Sequence, residues 1–567
     1  MALVAAPLQS VRIHGAHAFS PRQLLTVMRL RPGHPFSRAL YHAGEIRLQE
    51  FYRNAGYFHF RVVDRQIRET PQGVELELWL YEGPRAVIAR LTYDGVKQLD
   101  TLAVARLFHR YRTPRPYDVN DLHALESALI NLYAEEGYPY ATVRLQQTPI
   151  APDTFLVVFQ IDEGPRVVIQ RVELRGLHEV RPRIVLRELR FRPPCVYRAS
   201  QVLESIRNIY LTGLFSSVLR RLEPVNAEGD TVVLVLELHE VHPRYLEFGG
   251  GWRQPLFAEF QISLGHRNLF GNNQRLEVRS EGLLDFSQST WRERWQRRRV
   301  EVSYGEPYFL GTPLKATAHP FYERDLQVKK EEYGVDFQVL WIASPYLSLT
   351  GALEWKRIPL QPSRSAPVIN SLIFIGLWDS RDNLFDPRRG AFASLKLQNA
   401  GAFLGGDNNF YRAILDFSYY APHRRHWVVA GRVRGGYQRP YAGSRTIPSS
   451  ERFFMGGEGS LRGYAERSVG PVDPDNPEIH SGNLFVNLNV ELRYRNGKWG
   501  GALFVDGGNL WFSVPEMRSQ PRLLWTTGFG LRYFTPIGPI RLDWGYRLQD
   551  RTPGYKGRIY LALGHMF

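Results

Sequence analysis

The sequence predicts three α+β repeats, each ordered strand, helix, helix, strand, strand, followed by an all-β, 16-stranded antiparallel transmembrane β-barrel. Three observations carry this reading. Markers recur at a fixed spacing through the first 240 residues. From Tyr245 to the end, short segments alternate apolar and polar residues with period two, the strand signature. No run of about 18 apolar residues occurs, so no transmembrane helix is expected, whereas barrel strands alternate and never score as apolar runs. The expected units are 9–83, 84–164, 165–241 and 242–567.

The repeats come first. Glu82-Gly83-Pro84-Arg85 returns as Glu163-Gly164-Pro165-Arg166, and Gly56-Tyr57 as Gly137-Tyr138, both 81 residues on. Gly15, Gly95 and Gly176 each end a short strand and keep steps of 80 and 81. In the second unit, residues 118–136 read as a helix with Leu122, Leu125, Leu129 and Leu132 on one face. Asp118 or Asn120 caps its start, and Gly137 suits the left-handed residue after its end. Three strands per unit leave sheet edges open to strand addition by a partner.

Sixteen alternating segments follow, near 245–254, 258–268, 274–283, 299–308, 313–323, 332–343, 346–357, 368–379, 391–400, 409–421, 426–438, 482–495, 499–512, 523–534, 538–549 and 557–567. Strands of about 10 residues match a tilted bilayer span. An even number suits antiparallel closure. Connections alternate between tight turns, such as 268–273, and long loops, such as 284–298 and 439–481.

Composition narrows the partners. The 567 residues hold 72 Lys+Arg against 56 Asp+Glu, a formal charge of +16, which suits an anionic lipid surface or nucleic acid. Aromatics reach 13%, which fits membrane interfaces and strands, so nucleic acid is not expected. The single cysteine, Cys195, permits no intramolecular disulfide and leaves the compartment open. Residues 1–10 lack the basic region and apolar core of a signal peptide, and the expectation is that a signal was trimmed. The basic run Arg292–Arg299 falls in an expected outer loop, either solvated or facing lipopolysaccharide phosphates.

Two motifs stand out as candidate sites. Leu461-Arg462-Gly463-Tyr464 lies in the longest loop, within a glycine-rich stretch. Phe504, Asp506 and Gly508 share one face of a strand. If that face lines the barrel, Arg462 and Asp506 are able to form a bidentate, charge-assisted contact; the alternative is a solvated Asp506. No phosphate loop, His-Glu-x-x-His or Gly-x-Ser-x-Gly element occurs, so no enzyme, catalytic residue, cofactor or metal is expected.

These motifs, with Gly265–Gly271, Glu306–Pro313, Asp379–Asn383 and Gly530–Pro539, stand in the order of a known family. The chain resembles the outer-membrane protein assembly factor superfamily (BamA/TamA-like), from residue 11 to Phe567. The repeats look like POTRA domains. The resemblance implies that the Arg462 loop folds into the lumen and docks on Asp506. It also implies a lateral seam between the first strand, with Gly249, Gly250 and Gly251, and the last, ending on Phe567. Those glycines either weaken the strand or relieve crowding. The implied function is to receive unfolded outer-membrane clients on the repeats and guide them into the membrane at the seam. The implied setting is the outer membrane, with its lipid and lipopolysaccharide, the repeats in the periplasm, and accessory lipoproteins or an inner-membrane partner. The alternative is a two-partner-secretion transporter, a family that usually has two such domains and a plug helix.

Overall fold

The computed structural model describes residues 6–253, 257–286, 289–326, 330–359, 367–536, 538–549 and 557–567. Residues 1–5, the expected strand end Gln254, and Ile537 of the last expected turn lie outside them. The chain divides into two units, Met1–His178 with Pro182–Glu240, and Glu179–Arg181 with Val241–Phe567.

The first unit holds the three repeats. The first contains β1 (Leu8–His14), α1 (Pro21–Met28), α2 (Arg38–Asn54), β2 (Arg61–Thr70) and β3 (Gly73–Tyr81). The second contains β4 (Val87–Asp94), α3 (Thr101–Phe108), β5 (Arg115–Pro116), α4 (Val119–Glu135), β6 (Thr142–Ala151) and β7 (Thr154–Asp162). The third contains β8 (Val168–Arg175), α5 (Pro182–Leu186), β9 (Cys195–Val196), α6 (Ala199–Leu211), β10 (Phe215–Pro224) and β11 (Thr231–Glu240). In each, the first and last strands pair in parallel and the penultimate strand pairs antiparallel with the last.

Three named strands per sheet holds only for the first repeat, where the segment between the helices makes a single antiparallel bridge, Pro35 to Pro7, at the start of β1. In the other two that segment forms a short strand beside the first, so β5 covers β4 and β9 covers β8. Among the described residues, the edges formed by β2, β6 and β10 carry a partner on one side only.

The helix of the second repeat buries Leu122, Leu125, Leu129 and Tyr133 against Ile88, Val157 and Phe159. Leu132, expected on that face, is half-buried, because the 3.6-residue period brings Tyr133 to the centre. Asp118 caps the start, its Oδ1 accepting from the Asn120 amide at 2.9 Å.

The repeat markers have steric and polar causes. Gly15, Gly95 and Gly176 have φ of +78°, +92° and +86°, and a Cβ there would stand 2.2, 2.0 and 2.2 Å from the carbonyl oxygens of Leu80, Ile161 and Leu238. Glu163 is 5% exposed and accepts from the amides of Lys97, Gln98 and Leu99 at 2.8–3.3 Å and from the Tyr133 hydroxyl at 3.0 Å. Glu82 and Glu240 brace the same loop in their own repeats, through Ala18 and His178. Successive repeats are joined by the Ala86 amide donating to the Gly56 carbonyl and the Val167 amide donating to the Gly137 carbonyl, both at 2.8 Å.

The second unit contains β12 (Arg244–Arg253), β13 (Phe257–Leu269), β14 (Gln274–Asp285), β15 (Trp295–Glu306), β16 (Lys315–Asp325), β17 (Lys330–Ile342), β18 (Leu347–Arg357) and β19 (Val368–Asp379). It continues with β20 (Gly390–Ala400), β21 (Phe410–His423), β22 (Trp427–Pro440), β23 (Leu484–Asn496), β24 (Trp499–Trp511), β25 (Leu524–Thr535), β26 (Gly538–Arg547) and β27 (Gly557–Leu563). All sixteen form one antiparallel sheet in sequence order. Along β24 and β26, Leu503, Val505, Leu542 and Trp544 face outward and exposed, while Phe504, Asp506, Arg541 and Asp543 are buried inside. An apolar outer face with a charged inner face is the pattern of a barrel wall in lipid.

Two expectations are corrected here. The last strand stops at Leu563 instead of Phe567. Gly564, at φ +87°, turns the tail inward, where the His565 Nε2 lies 3.0 Å from Asp386 Oδ1 and Phe567 packs near Tyr420. The expected loop 284–298 shrinks, because β15 begins at Trp295. Arg297 and Arg299 point inward onto Glu323, at 3.0 and 3.1 Å, so a charged inner face was mistaken for a loop.

Burial opposes ionisation of Glu163, but its three backbone donors and the Tyr133 hydroxyl outweigh it and hold its carboxyl below the usual range. With a depressed folded value, its contribution is present above the unfolded carboxylate value and is lost as pH falls through the folded one. Glu163→Gln is expected to cost the second repeat about 2 kcal/mol at neutral pH. Faster hydrogen exchange at the Lys97–Leu99 amides, with less dependence on acid pH than in the wild type, would be the readout.

Candidate functional site

The loop between β22 and β23 dips into the barrel. Its glycine-rich stretch is compact: the Gly457 amide donates to the Tyr464 carbonyl at 3.1 Å and the Gly456 amide to Ser460 Oγ at 2.8 Å. Met455, Leu461, Tyr464 and Val469 pack on Phe485 and Leu510 of the wall.

Arg462 sits at the tip with no exposed surface. Its Nε and Nη2 donate to the two oxygens of Asp506 at 2.9 and 2.8 Å, a bidentate pair, and its backbone amide donates to the same carboxylate at 3.2 Å. Nη1 donates to Glu491 and, at 3.3 Å, to Asp543. The guanidinium lies over Phe504, 3.4 Å from the ring centre. Three carboxylates on β23, β24 and β26 therefore surround one cation. They are balanced in turn by Arg493 on Glu491 and by Arg532 and Arg541 on Asp543. Buried charges persist only when paired and hydrogen-bonded in this way.

Each residue of the two motifs has a place here. Leu461 is fully buried. Gly463, at φ +105°, lies against β26, where a Cβ on Gly545 would stand 2.6 Å from the Arg462 carbonyl carbon. Tyr464 packs under Arg547, 5.3 Å from ring centre to guanidinium. Phe504 floors the guanidinium and Asp506 binds it. A Cβ on Gly508 would stand 2.7 Å from the Val486 carbonyl oxygen and 3.2 Å from the Met455 sulfur, so its lack of a side chain leaves room for the loop.

Sequence reasoning missed Glu491, Asp543 and Tyr560. The Tyr560 hydroxyl on β27 accepts from the Gly463 amide at 3.0 Å and donates to the Tyr464 carbonyl at 2.6 Å, stapling the loop tip to the last strand. Alternation alone put these residues on the inner face; nothing in the sequence told which of many inward polar residues meet the loop.

The other expected sites are placed as follows. Gly249, Gly250 and Gly251 lie in β12, opposite Gln261, Phe260 and Glu259 of β13. A Cβ on Gly251 would meet nothing within 4 Å, and on Gly249 and Gly250 the nearest atoms are at 3.6 and 3.8 Å, so crowding does not require these glycines. Among the described residues, no ladder pairing joins β12 to β27. Phe567 lies beyond the end of β27, its carbonyl accepting from Arg493 Nη2 at 3.1 Å. Among the described residues, no group of three or more His, Cys, Asp or Glu is arranged to hold a metal.

Three small α+β repeats ahead of a sixteen-stranded wall, with its longest loop docked inside, define a POTRA-bearing transmembrane β-barrel protein. The Omp85 superfamily domain matches residues 268–567, more than half of the sequence, and the POTRA surface antigen repeat matches 6–83, 86–164 and 167–241. The chain belongs to the Omp85 superfamily. The outer membrane protein assembly factor BamA of Nitratidesulfovibrio vulgaris is 24% identical over 540 residues, covering 91% of this chain. BamA of Neisseria meningitidis serogroup B is 22% identical over 645 residues, covering 99%. The chain spans 66% of the first relative's length and 78% of the second's. The crystal structure of BamA from Haemophilus ducreyi lacking POTRA domains 1–3 has a TM-score of 0.68 at 19% identity, covering 84% of this chain and 99% of that one, a likeness of fold.

Arg462→Ala leaves three carboxylates without their shared cation and is expected to weaken loop docking by about 3–5 kcal/mol. Trypsin should then cut after Arg452 and Arg467, while heat-modifiable gel mobility shows the barrel still folded. Arg462→Lys should not restore protection, since an ammonium cannot span both Asp506 oxygens. Tyr560→Phe removes both hydrogen bonds of the hydroxyl and is expected to speed exchange of the Gly463 amide by about tenfold or more.

Proposed function

We propose that this chain is an outer-membrane protein assembly factor. Its repeats receive unfolded β-barrel or autotransporter clients, and its barrel guides them into the outer membrane at the seam between β12 and β27. One observation carries the reading: the loop fills part of the lumen, while the first and last strands share no ladder pairing among the described residues. An edge strand with free amides and carbonyls is a template for another strand. Passage through the lumen would first have to break the Arg462 ion pairs.

The rest of the chain fits the same task. The one-sided edges β2, β6 and β10 offer β-augmentation to an extended client. Gly249–Gly251 give β12 few side chains with which to hold a neighbour. Insertion needs no nucleotide, because burying the client's apolar faces in lipid supplies the driving force. On this reading the barrel sits in the outer membrane among its lipids, with the repeats in the periplasm and room for accessory lipoproteins or an inner-membrane partner.

The test is reconstitution in liposomes with an unfolded outer-membrane client, scored by heat-modifiable mobility. Cysteines on β12 and β27, in a chain with Cys195 replaced, allow the seam to be closed. Faster client folding, abolished by oxidation and restored by reductant, is the expected outcome. No acceleration would sink the reading, and exoprotein passage through the pore would favour the secretion transporter.

A further inference from the structure

The loop that carries Arg462 touches the wall at a second buried ion pair. Its outer arm makes a single turn of 3-10 helix, Ser449–Glu451. Glu451 is 6% exposed. One carboxylate oxygen lies 2.6 Å from Lys356 Nζ on β18 and the other 3.0 Å from Arg412 Nη2 on β21. Arg412 Nη2 also donates to the Glu451 backbone carbonyl.

The two cations are also held by the wall itself. Arg412 donates through Nε to Gln438 at 2.7 Å and through Nη1 to Gln398 at 3.1 Å, each directly across the ladder. Gln398 in turn donates to Ser371 at 3.0 Å. Lys356 lies 3.3 Å from Glu354. The receptor thus runs over five neighbouring strands, β18 to β22. The loop side is braced too: Asp473 accepts from Ser449 Oγ at 2.9 Å and Arg452 Nη1 at 3.0 Å, and from Ser481 on the returning arm.

The geometry points to Glu451 as a second positioning residue that pins the outer arm of the loop to the β18–β21 arc, independently of the Arg462 clamp on β23, β24 and β26. The loop is then held by charge at its outer arm as well as at its tip. The same arm also meets the wall through the Tyr441 hydroxyl, which donates to Asn399 at 2.7 Å, and through Ile447, packed with Ile358, Ile369, Ala400 and Phe410, so Glu451 is the charged part of a wider contact. Releasing the whole loop requires both ion-pair clusters to break, and each break costs a buried charge its partner. Two buried cations meeting one carboxylate also set the register of the arm, since Lys356 and Arg412 engage different oxygens. The inference rests on the reading that the docked loop belongs to the working protein, and its test needs no client.

Glu451→Gln in the full chain is the first variant, with folding checked by heat-modifiable mobility. Two readouts apply: trypsin cleavage after Arg445, and the frequency of large-conductance openings in planar bilayers. Both are expected to rise by about tenfold or more, as befits loss of a buried pair. The Arg462 amide should stay protected from hydrogen exchange. If Glu451→Gln fails to fold, Arg412→Gln takes its place with the same expectations. Wild-type cleavage and conductance in the folded variant would overturn the inference. Loss of protection at Arg462 together with the outer arm would also overturn it, because the two contacts would then be one clamp. Absence of client assembly would bear on the proposed function and leave this result standing.

Discussion

The buried guanidinium of Arg462 is the constraint on which the barrel interior depends. A cation taken out of water requires carboxylates at hydrogen-bond distance, and Asp506, Glu491 and Asp543 supply them from three strands. Those acids would repel one another without it, so Arg493, Arg532 and Arg541 complete the balance. The loop path, the inward charge of four strands and the facing glycines Gly463 and Gly545 follow from the need to bring that cation into place.

The same network links places that are far apart in the chain. Tyr560 ties the loop tip to β27, the last strand, through two hydrogen bonds. The wall itself is held by ladder hydrogen bonds and by lipid on its apolar side, so polar contacts inside are free to specify position without supplying the cohesion.

The repeats solve a different problem. Each has a small core, so its stability leans on a few fixed contacts. The Glu of Glu-Gly-Pro-Arg braces the loop after the first strand, and the glycine ending that strand lies against a carbonyl of the last. Backbone bonds from Ala86 to Gly56 and from Val167 to Gly137 carry one repeat into the next. Among the described residues the β2, β6 and β10 edges pair on one side only, while β5 and β9 cover the opposite edge in the second and third repeats.

The sequence by itself determined the three repeats and the sixteen strands. Period-two alternation and an 81-residue step are local or self-comparing signals that need no knowledge of distant contacts. It also brought Arg462 to notice through the glycines around it, and Asp506 through the resemblance of its strand to a family motif, with alternation placing it on one face. It misread Arg297 and Arg299 as loop and ran the last strand on to Phe567, since charge on a strand and a left-handed Gly564 leave the alternation signal ambiguous. Only the tertiary structure decided that Glu491, Asp543 and Tyr560 meet the loop tip. They lie 29, 81 and 98 residues from Arg462 in sequence, and strand register and the path of the loop, which no local pattern encodes, put them within reach.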